Sequence, residues 1–164
     1  MRLLTMVSLL LVQIIPVNSV FGQDKESGFD KSIFYSAMRG NSEDAVNKQL
    51  ALIKTVNIAE KLAYEGALLM KLAGIVGGAK KKLDLFKDGH KKLESVISKD
   101  SLNAELRFLR LMIQEHAPGI LGYKGELQND KLYIKNNFKK LSPVVQEAVT
   151  DYSKESKILK PGQL

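Results

Sequence analysis

Apolar residues recur three and four positions apart along most of the chain, a spacing that places them on one face of an α-helix. In the segment 80–98 these positions are Leu83, Phe86, His90, Leu93 and Ile97. Alternating apolar and polar runs joined by Asn-Gly or Asp-Gly turns, which are typical of paired strands, are nearly absent. The pattern therefore predicts an all-α protein.

Capping residues divide the chain into six or seven helical segments. Ser42 and Asn103 are predicted N-caps because their side chains can accept a hydrogen bond from the first turn, and Ser142 before Pro143 marks another helix start. Gly40 is expected to end the first helix in the left-handed conformation that glycine adopts readily. The predicted helices lie near 30–39, from 42 past Ile53, 57–73, 80–98, 103–116, around 132–138, and from 143 to Tyr152.

The predicted third helix carries the small residues Ala63, Gly66 and Ala67, against which a neighbouring helix can pack closely. Gly77 and Gly78 follow it as a hinge. Because the connections between helices are short, successive helices are expected to be antiparallel. We therefore expect six or seven antiparallel helices stacked as helical hairpins or packed as an irregular bundle.

The N-terminus has the three parts of a cleavable secretory signal peptide. Arg2 provides the positive charge, residues 3–15 are mostly apolar, and Val20 and Gly22 place small side chains before a cleavage position at Gln23. The alternative is an uncleaved membrane anchor, which needs about 20 continuous apolar residues. Polar residues and a proline interrupt this stretch, so we expect cleavage between Gly22 and Gln23 and no stable membrane span afterwards.

This prediction divides the chain into a signal peptide (1–22), a disordered lead-in (23–28), a helical domain (29–157) and a polar tail (158–164). The chain has no cysteine, which excludes disulfides, thiolate metal sites and a cysteine nucleophile. A domain of this size without disulfides fits a bacterial periplasm or cell surface. We therefore expect a periplasmic or extracellular location.

The formal net charge of +7 falls to +6 when Arg2 leaves with the signal peptide. The positive charge comes mostly from lysines scattered among carboxylates, whereas nucleic-acid binding requires a concentrated basic face with arginines that reach the bases. We expect no nucleic-acid partner. Weak attraction to anionic polymers or membranes stays open.

Arg107 and Arg110 form the densest candidate site together with Glu115, His116 and Tyr123. A guanidinium group suits bidentate recognition of carboxylates and other anions better than an ammonium group does, so these five residues are the predicted ligand-binding surface. The favoured alternative for the two arginines is an internal ion pair, for example with Glu65 or Glu115 on an adjoining helix.

Motifs of catalysis and metal binding are missing from the sequence. His90 and His116 are the only histidines, they have no recognised metal-ligand spacing, and His90 lies in an apolar stripe. Residues 77–82 (GGAKKK) lack the spacing of a phosphate-binding loop, and no serine lies in a GxSxG or SxxK motif. We therefore predict no metal site, no cofactor and no catalytic residues, and an enzyme is not favoured.

Two resemblances add to this interpretation. Residues 93–105 (LESVISKDSLNAE), with Gly89 before them, resemble the junction between two tetratricopeptide repeats, which implies stacked, TPR-like helical hairpins. Residues 64–74 (YEGALLMKLAG), 82–94 (KLDLFKDGHKKLE) and 103–123 (NAELRFLRLMIQEHAPGILGY) are similar to segments of an uncharacterised family of small exported proteins of Bacteroidetes. The second resemblance implies a Gram-negative envelope location and no assigned activity.

The sequence thus leaves two functions open. The leading hypothesis is a scaffold module whose helical hairpins present a groove to a protein or peptide partner. The alternative is a small-ligand-binding protein or an enzyme that uses Arg107, Arg110 and His116. A binding module requires an exposed concave groove, whereas the ligand site requires a closed pocket in which the arginines are not already neutralised by internal carboxylates.

Overall fold

The computed structural model describes residues 28–162 and residue 164. This part of the chain contains seven α-helices and no β-strand, which confirms the all-α class. The helices are α1 (Lys31–Arg39), α2 (Glu43–Thr55), α3 (Lys61–Ile75), α4 (Ala79–Ile97), α5 (Ala104–His116), α6 (Leu127–Asn137) and α7 (Pro143–Ser153). The predicted signal peptide, its cleavage position at Gly22 and Gln23, and residues 23–27 of the predicted lead-in lie outside the described residues.

The predicted N-caps of α2 and α5 are confirmed. Ser42 Oγ accepts a hydrogen bond from the backbone N–H of Ala45 at 3.1 Å. Asn103 Oδ1 accepts from the N–H groups of Glu105 and Leu106 at 3.1 and 3.3 Å. These bonds satisfy donors that the first turn of a helix leaves without an intrahelical partner.

Helix α1 ends at Arg39 as predicted, but the predicted conformation of its cap and the predicted start of the third helix are wrong. Gly40 is extended (φ −68°, ψ 179°) rather than left-handed, and its N–H donates to the carbonyl of Ser36. The third helix begins at Lys61 and not at 57, because the backbone at Val56 is extended and buries that side chain in the core. A turn closed by the bond from Lys61 N–H to the Ile58 carbonyl then leads into α3.

Helices α3 and α4 touch backbone to backbone at Gly66 and Gly89. A Cβ atom added to Gly66 would lie 2.6 Å from the Gly89 carbonyl oxygen, and one added to Gly89 would lie 2.5 Å from the Gly66 carbonyl oxygen. Nearby, Lys92 Nζ pairs with Glu65 at 3.1 Å, so the residue numbers run in opposite directions and the helices are antiparallel. The predicted close approach at Gly66 is confirmed, and Gly89 is its partner.

Helix α5 lies in the centre of the core. Most of its side chains are buried, including Leu106, Phe108, Leu109 and Leu111, and it packs against α3, α4 and α6. Four apolar residues that the pattern predicts to be on the buried faces of helices are instead exposed, Ile33 by 55 %, Leu62 by 46 %, Leu83 by 41 % and Leu132 by 57 %. Leu83 lies in the solvent-exposed first turns of α4, and Leu132 falls beside the buried stripe of α6 rather than on it.

The chain after α7 returns to the core. Helix α7 begins at Pro143 as predicted, but Ser142 does not cap it, since its buried Oγ has no hydrogen-bond partner among the described residues. Leu159 is fully buried, and its N–H donates to Ser156 Oγ at 2.8 Å. The segment 158–164, which the sequence predicts as a polar tail, therefore contributes a core residue.

Candidate functional site

The two arginines of α5 converge on one buried carboxylate of α6. Arg110 Nε and Nη2 donate to the two oxygens of Asp130 at 2.6 and 2.8 Å, a bidentate geometry. Arg107 Nη1 donates to the same carboxylate at 3.1 Å. Asp130 is fully buried and the side chain of Arg110 is only 8 % exposed, so this ion pair is shielded from solvent.

Helix α4 and the loop after α5 complete this arrangement. Arg110 Nη1 donates to Glu94 of α4 at 3.0 Å, and the Tyr123 hydroxyl donates to the other oxygen of Glu94. The Tyr123 ring packs at right angles to His90, with 4.6 Å between ring centroids. We call Glu94, Arg107, Arg110, Tyr123 and Asp130 the Asp130 cluster.

Electrostatics keep Arg110 and Tyr123 each in one protonation state near neutral pH. Burial alone would lower the pKa of Arg110, but the hydrogen bonds and charges of Asp130 and Glu94 outweigh it and raise the pKa. Burial, together with the hydrogen bond to Glu94, raises the pKa of the Tyr123 hydroxyl well above its usual range. Arg110 therefore stays charged and Tyr123 stays a neutral donor.

Arg107 is also engaged within the protein. Its Nε donates to the Ser101 carbonyl at 2.8 Å, and its guanidinium carbon lies 4.3 Å from the centroid of the Tyr133 ring. Both arginines thus form the internal ion pairs that the sequence left as the alternative. Their partners are Asp130 and Glu94, whereas Glu65 pairs with Lys92.

Asp130 was missed by sequence reasoning, although the sequence does contain a signal for it. Leu127, Asp130 and Ile134 follow the spacing i, i+3, i+7, which places the carboxylate on the buried stripe of α6. A buried carboxylate requires a positive partner, since an unpaired charge in the core is very costly. The two arginines of α5 are that partner.

Glu115 and His116 lie in a different place from the arginines. Glu115 is five positions after Arg110, and at 3.6 residues per turn this spacing places it on another side of α5. There Glu115 accepts hydrogen bonds from the Tyr152 hydroxyl at 2.8 Å, Ser156 Oγ at 2.6 Å and the Lys157 N–H at 2.6 Å.

His116 Nε2 lies 3.4 Å from the Tyr152 hydroxyl. We call Glu115, His116, Tyr152, Ser156 and Lys157 the Glu115 cluster. Burial raises the pKa of Glu115, but the hydrogen bonds from Ser156, Tyr152 and Lys157 outweigh it and hold the pKa below the ordinary value. Glu115 is therefore ionised at neutral pH.

The five predicted site residues are thus divided between two clusters. Arg107, Arg110 and Tyr123 belong to the Asp130 cluster, and Glu115 and His116 belong to the Glu115 cluster.

The described part of the chain brings no three histidine, aspartate or glutamate side chains into an arrangement that could hold a metal ion. His90 faces the aromatic rings of Phe86 and Tyr123 rather than a carboxylate set. Across the same residues, every helix is too short or too polar to cross a bilayer.

A groove of about 150 Å³ lies between α1 and α7, and neither Arg107 nor Arg110 lines it. Arg39 Nη1 pairs with Asp151 Oδ2 across it at 2.6 Å and joins its two walls. The lining residues are Ser32, Tyr35, Ser36 and Arg39 of α1, Met112 of α5, and Val144, Glu147, Ala148, Asp151 and Tyr152 of α7. We call this feature the α1–α7 groove.

No protein-family model matches the chain, and neither a curated protein nor a solved structure matches it. The resemblances to a tetratricopeptide-repeat junction and to exported proteins of Bacteroidetes therefore stay predictions.

Proposed function

We propose that the protein is an exported helical binding module that holds a short segment of a protein or peptide partner in the α1–α7 groove. The size of the groove is the observation that carries this proposal. Pockets for small-molecule ligands usually enclose roughly 300–1,000 Å³, whereas this groove encloses about 150 Å³. Such a space suits one anchoring side chain of a larger partner.

The chemistry of the groove supports the same function. Tyr35, Met112 and Val144 provide apolar surface, and the pair of Arg39 and Asp151 provides a charged rim. Hydrogen bonds from Lys154 and Arg39 lower the pKa of Asp151 to about 2, so its carboxylate is ionised at neutral pH. An apolar centre with a polar rim is the usual anatomy of a protein–protein interface.

The alternative of a small-ligand site or an enzyme at the arginines has less support. That function needs guanidinium groups free to bind an anion, and both arginines already bind Asp130, with Glu94 also on Arg110. His116, the proposed third member, belongs to the Glu115 cluster. We therefore favour the groove as the binding surface and assign no catalytic residue.

The export component of the proposal is supported by the signal-peptide pattern and by the resemblance to exported proteins of Bacteroidetes. We expect the full chain, produced in a Gram-negative host, to appear in the periplasm with its N-terminus at Gln23. Intact mass of the periplasmic product measures this. Retention of residues 1–22 in a membrane fraction would contradict it.

Site-specific photocrosslinking tests the groove. A photoreactive residue at Ser36, which is exposed and lines the groove, is expected to crosslink to one polypeptide in an envelope extract of the source organism. A second probe at Ser98, an exposed position at the end of α4, is the matched control. The identified polypeptide is then titrated with purified protein.

Substitution then tests whether the groove carries the affinity. Ser36→Phe fills the groove and is expected to weaken the interaction about tenfold or more, the size of effect at an interface hot spot. Ser98→Phe is expected to bind like the wild type. Equal crosslinking at both positions, or an unchanged affinity of Ser36→Phe, would rule out the groove as the binding site.

A further inference from the structure

Ile120 is the most exposed large apolar side chain among the described residues, at 95 %. It lies in the 3₁₀ turn Gly119–Leu121, in the glycine-rich loop between α5 and α6. A Cβ atom added to Gly119, Gly122 or Gly125 would touch nothing within 4 Å, so the loop stands open on this side. An isoleucine presented to solvent in this way contributes nothing to the core.

Helix α4 lies beside this loop. Tyr123, three residues after Ile120, packs against Phe86 and His90 with ring centroids 5.6 and 4.6 Å apart. Leu83, which is 41 % exposed, precedes Phe86 by one turn on α4. The two exposed aliphatic side chains therefore lie on the two elements that this aromatic contact joins.

Exposed lysines lie on the same two elements. Lys87 and Lys91 follow Leu83 at i+4 and i+8, which places them on the same side of α4, and Lys124 follows Tyr123 in the loop. None of the three forms an ion pair with another described residue. We call Leu83, Phe86, Lys87, Lys91, Ile120 and Lys124 the α4–loop surface.

The excess positive charge of the described chain lies on α4 and in residues 117–141. Helix α4 contains six lysines and three carboxylates. Residues 117–141 contain five lysines and two carboxylates, and of these lysines only Lys124 lies in the loop itself. Of the carboxylates, Asp84 pairs with Lys80, Asp88 with Lys92, and Asp130 with the arginines. The remaining segments of the described chain are nearly balanced in charge.

We infer that the α4–loop surface binds an anionic lipid bilayer, with Ile120 and Leu83 entering the headgroup region and Lys87, Lys91 and Lys124 contacting the lipid phosphates. Exposed aliphatic side chains flanked by lysines are the combination that interfacial membrane binding requires. Lysine side chains also extend easily towards headgroups while their stems stay on apolar surface.

Other occupants fit this surface less well. A second copy of the same surface would place lysines opposite lysines, and like charges across an interface are repelled. A nucleic acid would use arginines and stacked aromatic rings, but both arginines of this region are held by Asp130. A bilayer needs no matching pocket, and Ile120 protrudes from an open loop instead of lining one.

Vesicle co-sedimentation tests the inference. The protein is recovered after export of the full chain, and its N-terminus is read by intact mass. It is expected to bind vesicles of equal parts phosphatidylglycerol and phosphatidylcholine, to bind pure phosphatidylcholine at least tenfold less, and to be released by salt because screening shortens the range of the attraction. Equal binding to both vesicles, or binding to neither, would overturn the inference.

Matched variants locate the binding surface. Lys87→Gln with Lys91→Gln is expected to weaken binding about fivefold for each lysine, the usual contribution of a lysine near an anionic membrane. Lys54→Gln with Lys157→Gln, which changes the charge equally on α2 and after α7, is expected to bind like the wild type. If both pairs weaken binding equally, the attraction is a net-charge effect and the inference is wrong.

The aliphatic contribution is tested separately. Ile120→Ser is expected to weaken binding about fivefold to tenfold, because serine does not replace the apolar area that isoleucine would bury in the bilayer. Ile120 is 95 % exposed, so loss of a contact within the fold could not explain the effect. Ile33→Ser, at an isoleucine on α1 that is 55 % exposed, is the matched control. An effect of Ile33→Ser as large as that of Ile120→Ser would contradict the inference.

Ser36→Phe of the α1–α7 groove is expected to leave vesicle binding unchanged, which separates this inference from the proposed function.

Discussion

The Asp130 cluster and the Glu115 cluster each join α5 to another part of the chain through one carboxylate, Asp130 of α6 in the first and Glu115 of α5 itself in the second, but the partners are of opposite kinds. Asp130 is fully buried and receives three hydrogen bonds from two cationic guanidinium groups. Glu115 receives its hydrogen bonds from two neutral hydroxyls and a backbone N–H. In the first cluster charges compensate each other, whereas in the second fixed dipoles compensate one charge.

This difference determines what each cluster does for the fold. The Asp130 cluster joins α4, α5 and α6 around the buried pair of Asp130 and Arg110, so removing either of these two leaves the other buried without its principal partner. The Glu115 cluster attaches the segment after α7 to the end of α5. Losing its acceptor leaves neutral donors without a partner, which costs less than an unpaired buried charge.

Asp130→Asn is expected to have the largest effect. It removes the charge that compensates Arg110 and Arg107, and breaking a buried ion pair typically costs about 3–5 kcal/mol in the free energy of unfolding. Urea denaturation followed by circular dichroism measures the cost. Asp84→Asn, which breaks the exposed pair with Lys80, is the control and is expected to cost less than about 1 kcal/mol. Similar costs for the two variants would contradict the role assigned to the Asp130 cluster.

Arg110→Lys and Arg107→Lys are expected to separate the roles of the two arginines. Arg110 donates to Asp130 twice and to Glu94 once, and an ammonium group cannot reproduce this planar geometry. We expect a loss of about 2 kcal/mol for Arg110→Lys and about 1 kcal/mol for Arg107→Lys, from hydrogen bonds to charged groups. The same urea experiment measures both, and the reverse order would show that Arg107 is the principal partner of Asp130.

Glu115→Gln is expected to cost about 1–2 kcal/mol, because the amide oxygen keeps one acceptor while the second oxygen and the charge are lost. The loss should appear first in the segment after α7, where Ser156 and Lys157 donate to Glu115. Hydrogen exchange of the Lys157 and Leu159 amides measures it. If exchange accelerates equally throughout α5 and α6, the two clusters are not independent and the comparison between them fails.

Acidification gives the smallest expected effect. The pKa of Glu115 in the folded protein lies below its ordinary value of 4.5, so the unfolded chain binds this proton more readily than the folded chain does. The stabilisation is complete above the ordinary pKa and is lost as the pH falls through the lower folded pKa. Solvent screening at this partly exposed group keeps it small.

The midpoint of urea denaturation, measured between neutral and strongly acidic pH, tests the sign. The difference between wild type and Glu115→Gln is expected to be constant near neutral pH and to shrink as the pH falls below 4.5. A difference that grows on acidification would show that Glu115 is protonated more readily in the folded protein than in the unfolded chain.

Local features were predictable from the sequence, whereas contacts between polar side chains that are distant in the sequence were not. The caps at Ser42 and Asn103 depend on side chains two or three residues from the N–H groups they satisfy, so their prediction needed no tertiary information. The candidate site was predicted as one cluster because Arg107, Arg110, Glu115 and His116 are close in sequence. The helical twist of α5 instead places these residues on two sides of the helix.

The sequence by itself determined the all-α class, the starts of α2, α5 and α7, and the close approach of a helix at Gly66, because apolar periodicity and capping act within about one helical turn. Only the tertiary structure decided that Gly89 lies against Gly66 and that Asp130 receives hydrogen bonds from both Arg107 and Arg110. The same packing left Leu83 and Ile120 exposed. These outcomes depend on how helices distant in the chain are packed around α5, which adds constraints that no local pattern contains.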